Sequence, residues 1–207
     1  MHLKQAEALF GSNFIGPDRI NSMLTAMGCS PLRPEDIPPL EYSDTLLEKS
    51  AADFLLVLGY PGTAGDPVDI LKFRDCFGID PDRSEPCLYN QDWYLKEDFV
   101  HKTLDSRWYL LRKDVFEDTR SLSPESIAGS GIVFPSAILC VYAFFAFYLA
   151  CGQPLWRHDF VWCSDTDHNG DRIYVGKYHD IDGVNKNGFS IHRHLALRPC
   201  YSSITTL

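Results

Sequence analysis

The sequence predicts an α+β protein, in which a mainly helical N-terminal part, residues 1–105, packs on a C-terminal part, residues 106–207. The first observation is an almost wholly apolar run over residues 133–151, which is typical of one long helix buried on most of its faces. The second is a pair of β-like runs, residues 159–163 and 172–178, which predict a hairpin in a small antiparallel sheet. The same pattern also fits one continuous globular unit.

Periodicity and capping residues define the helices of the N-terminal part. Two helices are predicted within residues 1–28, and the second begins at Pro17, a residue that favours the first helical position. Ser43 is a typical N-cap for a helix over residues 44–52. Residues 53–59 fit either a buried strand or the last turns of that helix, because periodicity cannot separate the two in so short a run.

The apolar run over residues 133–151 approaches the length of a membrane span, which is about 20 residues. However, Pro135 and Ser136 form a helix-start pair, which shortens the helix to about 16 residues, or about 24 Å. No cluster of Lys and Arg flanks the run, and its aromatic residues lie in the middle instead of at the ends. The sequence therefore favours a buried core helix over a membrane-associated protein held by this segment.

Charge and cysteine content limit the class of partner. The formal net charge is −9 and no basic patch is present, which argues against nucleic acid and against basic binding to membrane surfaces. The seven cysteines are an odd number, widely spaced and without a CxxC pair. The first residues also lack the apolar core of a signal peptide. These features predict reduced thiols and a cytoplasmic location.

The tip of the predicted hairpin carries the sharpest local motif. Asp165, Asp167, Asn169 and Asp171 place oxygen-bearing side chains at alternate positions, as in the first half of a calcium loop. The second half is absent, because Gly176 stands where a bidentate Glu is required. Calcium bound by these four residues is one hypothesis. The alternative is a plain acidic turn, since an Asn-Gly pair is favoured at the centre of tight hairpins.

Histidines and aromatic residues near the hairpin are the other site candidates. His192 and His194 fall on the same face of a predicted strand, and together with His179 they are candidate ligands for zinc or iron. No further ligand is assignable from spacing, and a purely structural role for these histidines is the alternative. The candidate ligand-binding residues of the hairpin and the following strand are Trp162, Arg172, Tyr174 and His192.

Several short motifs follow one another in a familiar order in the C-terminal half. They are Trp108-Tyr109-Leu110, Phe134-Pro135-Ser136 at the start of the apolar helix, Phe160-Val161-Trp162-Cys163-Ser164, Arg172-Ile173-Tyr174-Val175-Gly176 and Leu197-Arg198-Pro199-Cys200. Residues 107–203 thus resemble the short C-type-lectin-like domains of bacterial proteins, which include relatives of the sulfatase-modifying, formylglycine-generating family. The paired active-site cysteines of the formylglycine-generating enzymes have no counterpart here. The resemblance therefore implies a fold and a binding surface without an activity.

Two functional hypotheses of different classes follow from these observations. The leading one is a non-catalytic recognition protein that binds a ligand or another protein through the hairpin and loops of its C-terminal half. The rival is a metal-dependent enzyme that uses His179, His192 and His194 or the acidic hairpin tip. No residue is assigned a catalytic role. Calcium at the hairpin tip is the cofactor hypothesis, beside the zinc or iron that the histidines would bind.

Overall fold

The computed structural model describes residues 1–80, 85–177, 188–193 and 197–207. The helices are α1 (Leu3–Phe10), α2 (Pro17–Ala26), α3 (Asp44–Ser50), α4 (Ile70–Phe77), α5 (Pro124–Ile127) and α6 (Ala137–Cys151). The strands are β1 (Phe14–Ile15), β2 (Phe54–Leu58), β3 (Gly62–Thr63), β4 (Asp66–Pro67), β5 (Trp108–Arg112), β6 (Phe160–Thr166), β7 (Arg172–Gly176), β8 (Ser190–Arg193) and β9 (Tyr201–Ser202). The predicted α+β class is confirmed.

Helix α6 is the apolar helix that the sequence predicts, and it has 15 residues. The hydroxyl of Ser136 accepts a hydrogen bond from the backbone N–H of Leu139 and caps its N-terminus. Gly152 ends the helix in the left-handed conformation, with φ 68°. Its residues 137–147 are all buried. No helix in the described part of the chain combines the length and apolarity that a membrane crossing requires.

A first sheet joins strands from both halves of the chain. β1 pairs with β2 in parallel, and β2 pairs with β5 in antiparallel register from Phe54 opposite Arg112 to Leu58 opposite Trp108. The predicted boundary between residues 105 and 106 therefore runs between two strands that are hydrogen-bonded to each other. β2 is a strand and not the end of a helix. Its buried residues 55–58 point to both faces of the sheet, as expected of a central strand.

The second sheet has the order β8-β7-β6-β9. β6–β7 and β7–β8 are antiparallel, as predicted for the hairpin, whereas β9 lies parallel to β6. One face of this sheet belongs to the same hydrophobic core as α6; its fully buried side chains are Val161, Cys163, Ile173, Val175 and Ile191. We call this the inner face. The opposite, outer face carries aromatic side chains that form a second, smaller cluster.

Candidate functional site

The turn between β6 and β7 is built around the side chain of Asp167. Its Oδ1 atom accepts hydrogen bonds from the backbone N–H groups of Asn169 at 2.8 Å and Asp171 at 2.9 Å. Gly170 adopts φ 87°, a left-handed conformation that favours glycine. The sequence motif at the hairpin tip therefore serves first to close the turn, with Asp167 as a side-chain acceptor for backbone groups that no strand pairs.

Asp165 lies on the inner face and contacts the start of the long helix. Its Oδ1 accepts a hydrogen bond from Lys102 Nζ at 2.6 Å, and its Oδ2 accepts one from the backbone N–H of Ala137 at 2.7 Å. Only 4% of Asp165 is exposed. The N-terminus of a helix presents unpaired N–H groups and a partial positive charge, so a carboxylate is favoured at this position.

The second carboxylate oxygen of Asp167 takes part in a network of ion pairs and hydrogen bonds with Glu97, His168 and Arg193, which we call the tip network. Arg193 Nη1 lies 2.7 Å from Asp167 Oδ2 and 3.5 Å from Glu97 Oε1. The guanidinium of Arg193 also stacks over the ring of Trp93, 4.7 Å from its centroid. Arg193 thus supplies positive charge to two carboxylates that are both almost completely buried.

Electrostatics of the tip network favour the ionised form of Asp167. Burial opposes the charged carboxylate, but hydrogen bonds from Arg193 and from the backbone of Asp171 and Asn169 outweigh it. Together these contacts hold the pKa of Asp167 below its ordinary value. The turn is therefore stabilised by a charge that persists at neutral pH.

Glu97 holds His168 at two points. Glu97 Oε2 accepts a hydrogen bond from the backbone N–H of His168 at 2.9 Å, and Glu97 Oε1 lies 2.6 Å from His168 Nδ1. Because a carboxylate accepts, Nδ1 carries the proton and Nε2 is the ring atom left for an external partner. The side chain of His168 is 65% exposed, whereas that of Glu97 is 6% exposed. A buried carboxylate behind an imidazole is a common way to orient a histidine that binds a metal or a ligand.

Three side chains at the same place could hold a metal ion, and they differ from the ligands that the sequence indicates. Glu97, Asp167 and His168 have ligand atoms within 4.8 Å of one another, and no other group of three such side chains occurs in the described part of the chain. Of the four predicted calcium ligands, Asp167 alone belongs to this group. Asp165 faces α6, and Asn169 and Asp171 contribute backbone N–H groups to the turn. Calcium binding stays a prediction.

The predicted ligand-binding residues do come together, on the outer face of the second sheet. Trp162 is paired with Tyr174 across β6 and β7, and Tyr174 with His192 across β7 and β8. The rings of Tyr174 and His192 stack at a centroid distance of 5.5 Å. Arg172 lies on the same face, 5.5 Å from the ring of Phe134, and donates to the backbone carbonyl of Ser164.

This outer face is covered in its centre. Trp162 and Tyr174 are each only 4% exposed, because residues 122–134 lie over them. The indole N–H of Trp162 donates to the carbonyl of Leu122 at 3.3 Å, and Ile127 packs in the same cluster. Ligand contact by the four residues therefore stays a prediction, and in this conformation Trp162 and Tyr174 contribute packing.

The histidine group proposed for zinc or iron falls mostly outside the described residues, because His179 and His194 are not among them. His192 is described and half-buried. Its Nδ1 lies 3.1 Å from the side-chain amide nitrogen of Gln91, and its ring contacts the edge of Phe160. The contacts of His192 are those of a residue packed at the edge of the aromatic cluster.

Two adjoining concavities, which the sequence does not indicate, lie on another part of the surface. Their volumes are about 470 and 500 Å³, and Ser106 lines both. Tyr42 and Trp108 line the first, and Tyr60 and Pro61 line the second. We call this pair the Ser106 groove. Its walls come from segments that are far apart in the chain, so no local pattern predicts it.

Comparison of the chain with protein-family models, with curated proteins and with solved structures found no match. The resemblance of residues 107–203 to C-type-lectin-like domains therefore stays a prediction. The function is inferred from the geometry of the described residues.

Proposed function

We propose that the protein is a non-catalytic recognition protein that binds a ligand or a partner protein through the exposed side of the β6–β7 turn. The contact residues are Lys102, Thr166, His168 and Asn169, which we call the tip surface. All four are exposed. Lys102 is connected to the others through its ion pair with Asp165, and the remaining three belong to the hairpin itself.

The double contact between Glu97 and His168 is the observation that carries this proposal. A surface histidine usually loses side-chain freedom on binding, and each immobilised side chain costs about 0.5–1.5 kcal/mol. Here the buried carboxylate of Glu97 fixes the backbone and the ring of His168 before any partner arrives. A binding group that is held on a hairpin by hydrogen bonds to a buried carboxylate is preorganised in the way that recognition sites require.

The chemistry of the tip surface favours a polar partner. Lys102 offers an ammonium group, Asn169 an amide, Thr166 a hydroxyl and His168 its Nε2 atom. These groups complement hydroxyl and carboxylate groups, such as those of a sugar or of an acidic peptide. A C-type-lectin-like arrangement of the part after residue 106 and a cytoplasmic location belong to the same proposal. The order of β5, α6, the hairpin and β9 supports the first. The seven unpaired cysteines support the second.

An array of immobilised glycans and acidic peptides tests the proposal. The wild type is compared with a double variant, His168→Ala and Asn169→Ala, and with Ser106→Arg, which fills the Ser106 groove. Binding to an array member that the double variant loses, while Ser106→Arg retains it, supports the tip surface. Binding lost only in Ser106→Arg, or no binding to any member, contradicts it. Equal Tm values for the three proteins exclude a folding defect.

The grouping of Glu97, Asp167 and His168 favours a second candidate, a metal-dependent enzyme. A divalent cation there competes with Arg193, whose guanidinium already neutralises both carboxylates. Calorimetric titration with Zn²⁺ and with Ca²⁺, on the wild type and on Arg193→Gln, decides between the two. One equivalent bound by the wild type and lost in His168→Ala favours the enzyme. If neither the wild type nor Arg193→Gln shows a heat of metal binding, the recognition protein is favoured.

A further inference from the structure

Two thiols from distant parts of the sequence meet beside the end of α2. Cys29 Sγ lies 3.8 Å and Cys76 Sγ 3.2 Å from the same acceptor, the backbone carbonyl oxygen of Met27. The two sulfur atoms are therefore at most about 7 Å apart, the sum of these two distances. A disulfide requires an S–S distance of about 2.0 Å and Cα atoms within about 7 Å of each other, so bond formation from this starting point requires rotation of both side chains.

The surroundings of this pair differ from those of the core thiols. Cys29 and Cys76 are half-buried, so small reagents have access, whereas Cys87, Cys140 and Cys163 are buried. Cys29 follows Gly28, which has φ 67° and no atom within 4 Å of the place where a Cβ would lie. The chain therefore has free space at Gly28, directly before Cys29.

A lysine and an aspartate sit next to the two thiols. Lys72 lies one helical turn before Cys76 on α4, and its Nζ forms an ion pair with Asp66 at 2.7 Å. Burial raises the pKa of Cys29 to about 11 and raises that of Cys76 as well, while the positive charge of Lys72 acts in the opposite direction at both. At neutral pH the pair is therefore held as thiols, and the fraction of reactive thiolate increases as the pH rises.

We propose that Cys29 and Cys76 form a reversible intramolecular disulfide, with a small-molecule disulfide as the oxidant. The thiolate of one cysteine attacks a sulfur atom of the oxidant, which gives a mixed disulfide and releases one small thiolate. The thiolate of the second cysteine attacks the protein sulfur of the mixed disulfide, which closes the Cys29–Cys76 bond and releases the second small thiolate. The two protons lost by the protein thiols are taken up by the two released thiolates. The bond ties the end of α2 to α4.

Oxidation of the reduced full-length chain by oxidised glutathione tests this proposal. The reaction is run at pH 7, 8 and 9, quenched with acid, blocked with N-ethylmaleimide and digested for peptide mass spectrometry. We expect one linked peptide pair, Cys29 with Cys76, lighter than the reduced pair by the mass of two hydrogen atoms. Its rate of formation increases at each step of pH, because the thiolate fraction of both cysteines increases. Dithiothreitol restores both free thiols.

Single variants separate this pair from nonspecific oxidation. In Cys29→Ser, Cys76 accumulates as a glutathione adduct, and in Cys76→Ser the same holds for Cys29. Cys151→Ser, which removes another half-buried thiol, forms the linked pair at the wild-type rate. Wild-type protein in which Cys29 and Cys76 appear only as maleimide or glutathione adducts would falsify the proposal. A predominant link from either cysteine to a third cysteine overturns it as well.

Discussion

The carboxylate of Asp165 lies against the N-terminus of α6, where its Oδ2 accepts a hydrogen bond from the backbone N–H of Ala137 at 2.7 Å. An aspartate that the sequence pattern marks as a candidate calcium ligand thus caps α6, the longest helix among the described residues. The contact joins the β6–β7 hairpin to the core, because Asp165 belongs to β6 and Ala137 is the first residue of α6. The contact of Asp165 therefore holds the β6–β7 hairpin against the N-terminus of α6.

Replacement of Asp165 measures this anchor. Asp165→Ala leaves the N–H of Ala137 without its acceptor, and we expect it to lower the free energy of unfolding by about 2–3 kcal/mol, since hydrogen bonds to charged groups are among the stronger ones. Asp165→Asn keeps an acceptor but loses the charge, and we expect a loss of about 1 kcal/mol. Urea denaturation followed by circular dichroism gives both values.

Asp98→Asn is the matched control for these variants, because Asp98 is an exposed aspartate of the 3₁₀ turn that precedes Lys102. Its effect should stay within about 0.5 kcal/mol, as for most surface substitutions. A loss in Asp165→Ala no larger than that of the control would show that the Ala137 contact contributes little to stability.

Asp167 gives the molecule a specific dependence on acid. Its pKa is lowered in the folded state, so its charge stabilises the fold above the unfolded pKa of about 3.9, and this contribution is lost as the pH falls through the lower, folded value. Asp167→Asn removes this contribution. We expect a loss of about 1–3 kcal/mol near neutral pH that is constant from about pH 7 to 5 and shrinks below about pH 4. Denaturation curves of wild type and variant across this range give the difference.

A constant difference between wild type and Asp167→Asn down to about pH 3 would contradict this interpretation, because the aspartate would then carry no linked proton. Asn169→Ala is the control. Asn169 contributes its backbone N–H to the turn, and its exposed side chain carries no titratable group. The difference between this variant and the wild type should be the same at every pH.

The cysteines divide into an accessible and a protected set. Burial, with a hydrogen bond to Cys140, raises the pKa of Cys163 well above its ordinary value. We expect iodoacetamide, applied to fully reduced folded protein, to alkylate the half-buried cysteines Cys29, Cys76, Cys151 and Cys200. Cys87, Cys140 and Cys163 should react only after unfolding in guanidinium, because the reagent has no access to a buried thiol. Modification of all seven at one rate would show that the core opens.

Local signals in the sequence are strong enough to predict the elements that depend on neighbours in the chain. Ser136 and the glycine after residue 151 delimit α6, and the composition between them requires burial on all faces. Ser43 caps α3 through the backbone N–H of Leu46, as predicted. The two β-like runs form the predicted hairpin. These features depend on capping and periodicity, which act within a few residues.

Contacts between distant residues explain what the sequence could not predict. β1 has two residues, and its pairing with β2 carries no periodic signal. Glu97 is 71 positions from His168 and lies in a stretch whose mixed charges read as ordinary amphipathic packing. Asp165 follows the buried Val161 and Cys163 at alternate positions of β6 and therefore faces the core, although its motif resembles a solvated loop. The sequence pattern therefore includes Asp167 of the tip network but does not indicate its distant partners Glu97 and Arg193.

Removal of the buried hydroxyl group of Tyr142 should stabilise the protein. Tyr142 lies in the middle of α6, fully buried, and its hydroxyl has no hydrogen-bond partner among the described residues. An unsatisfied buried polar group costs about 1–3 kcal/mol. We therefore expect Tyr142→Phe to raise the free energy of unfolding by about 1 kcal/mol, because the change removes one oxygen atom and keeps the ring contact with Phe73.

Tyr94→Phe is the matched control, since Arg74 donates a hydrogen bond to the Tyr94 hydroxyl at 2.9 Å. This variant should lower the free energy of unfolding by a similar amount. Urea denaturation of the three proteins gives the comparison. A loss of stability in Tyr142→Phe would mean that the hydroxyl has a partner in solution, such as a buried water molecule.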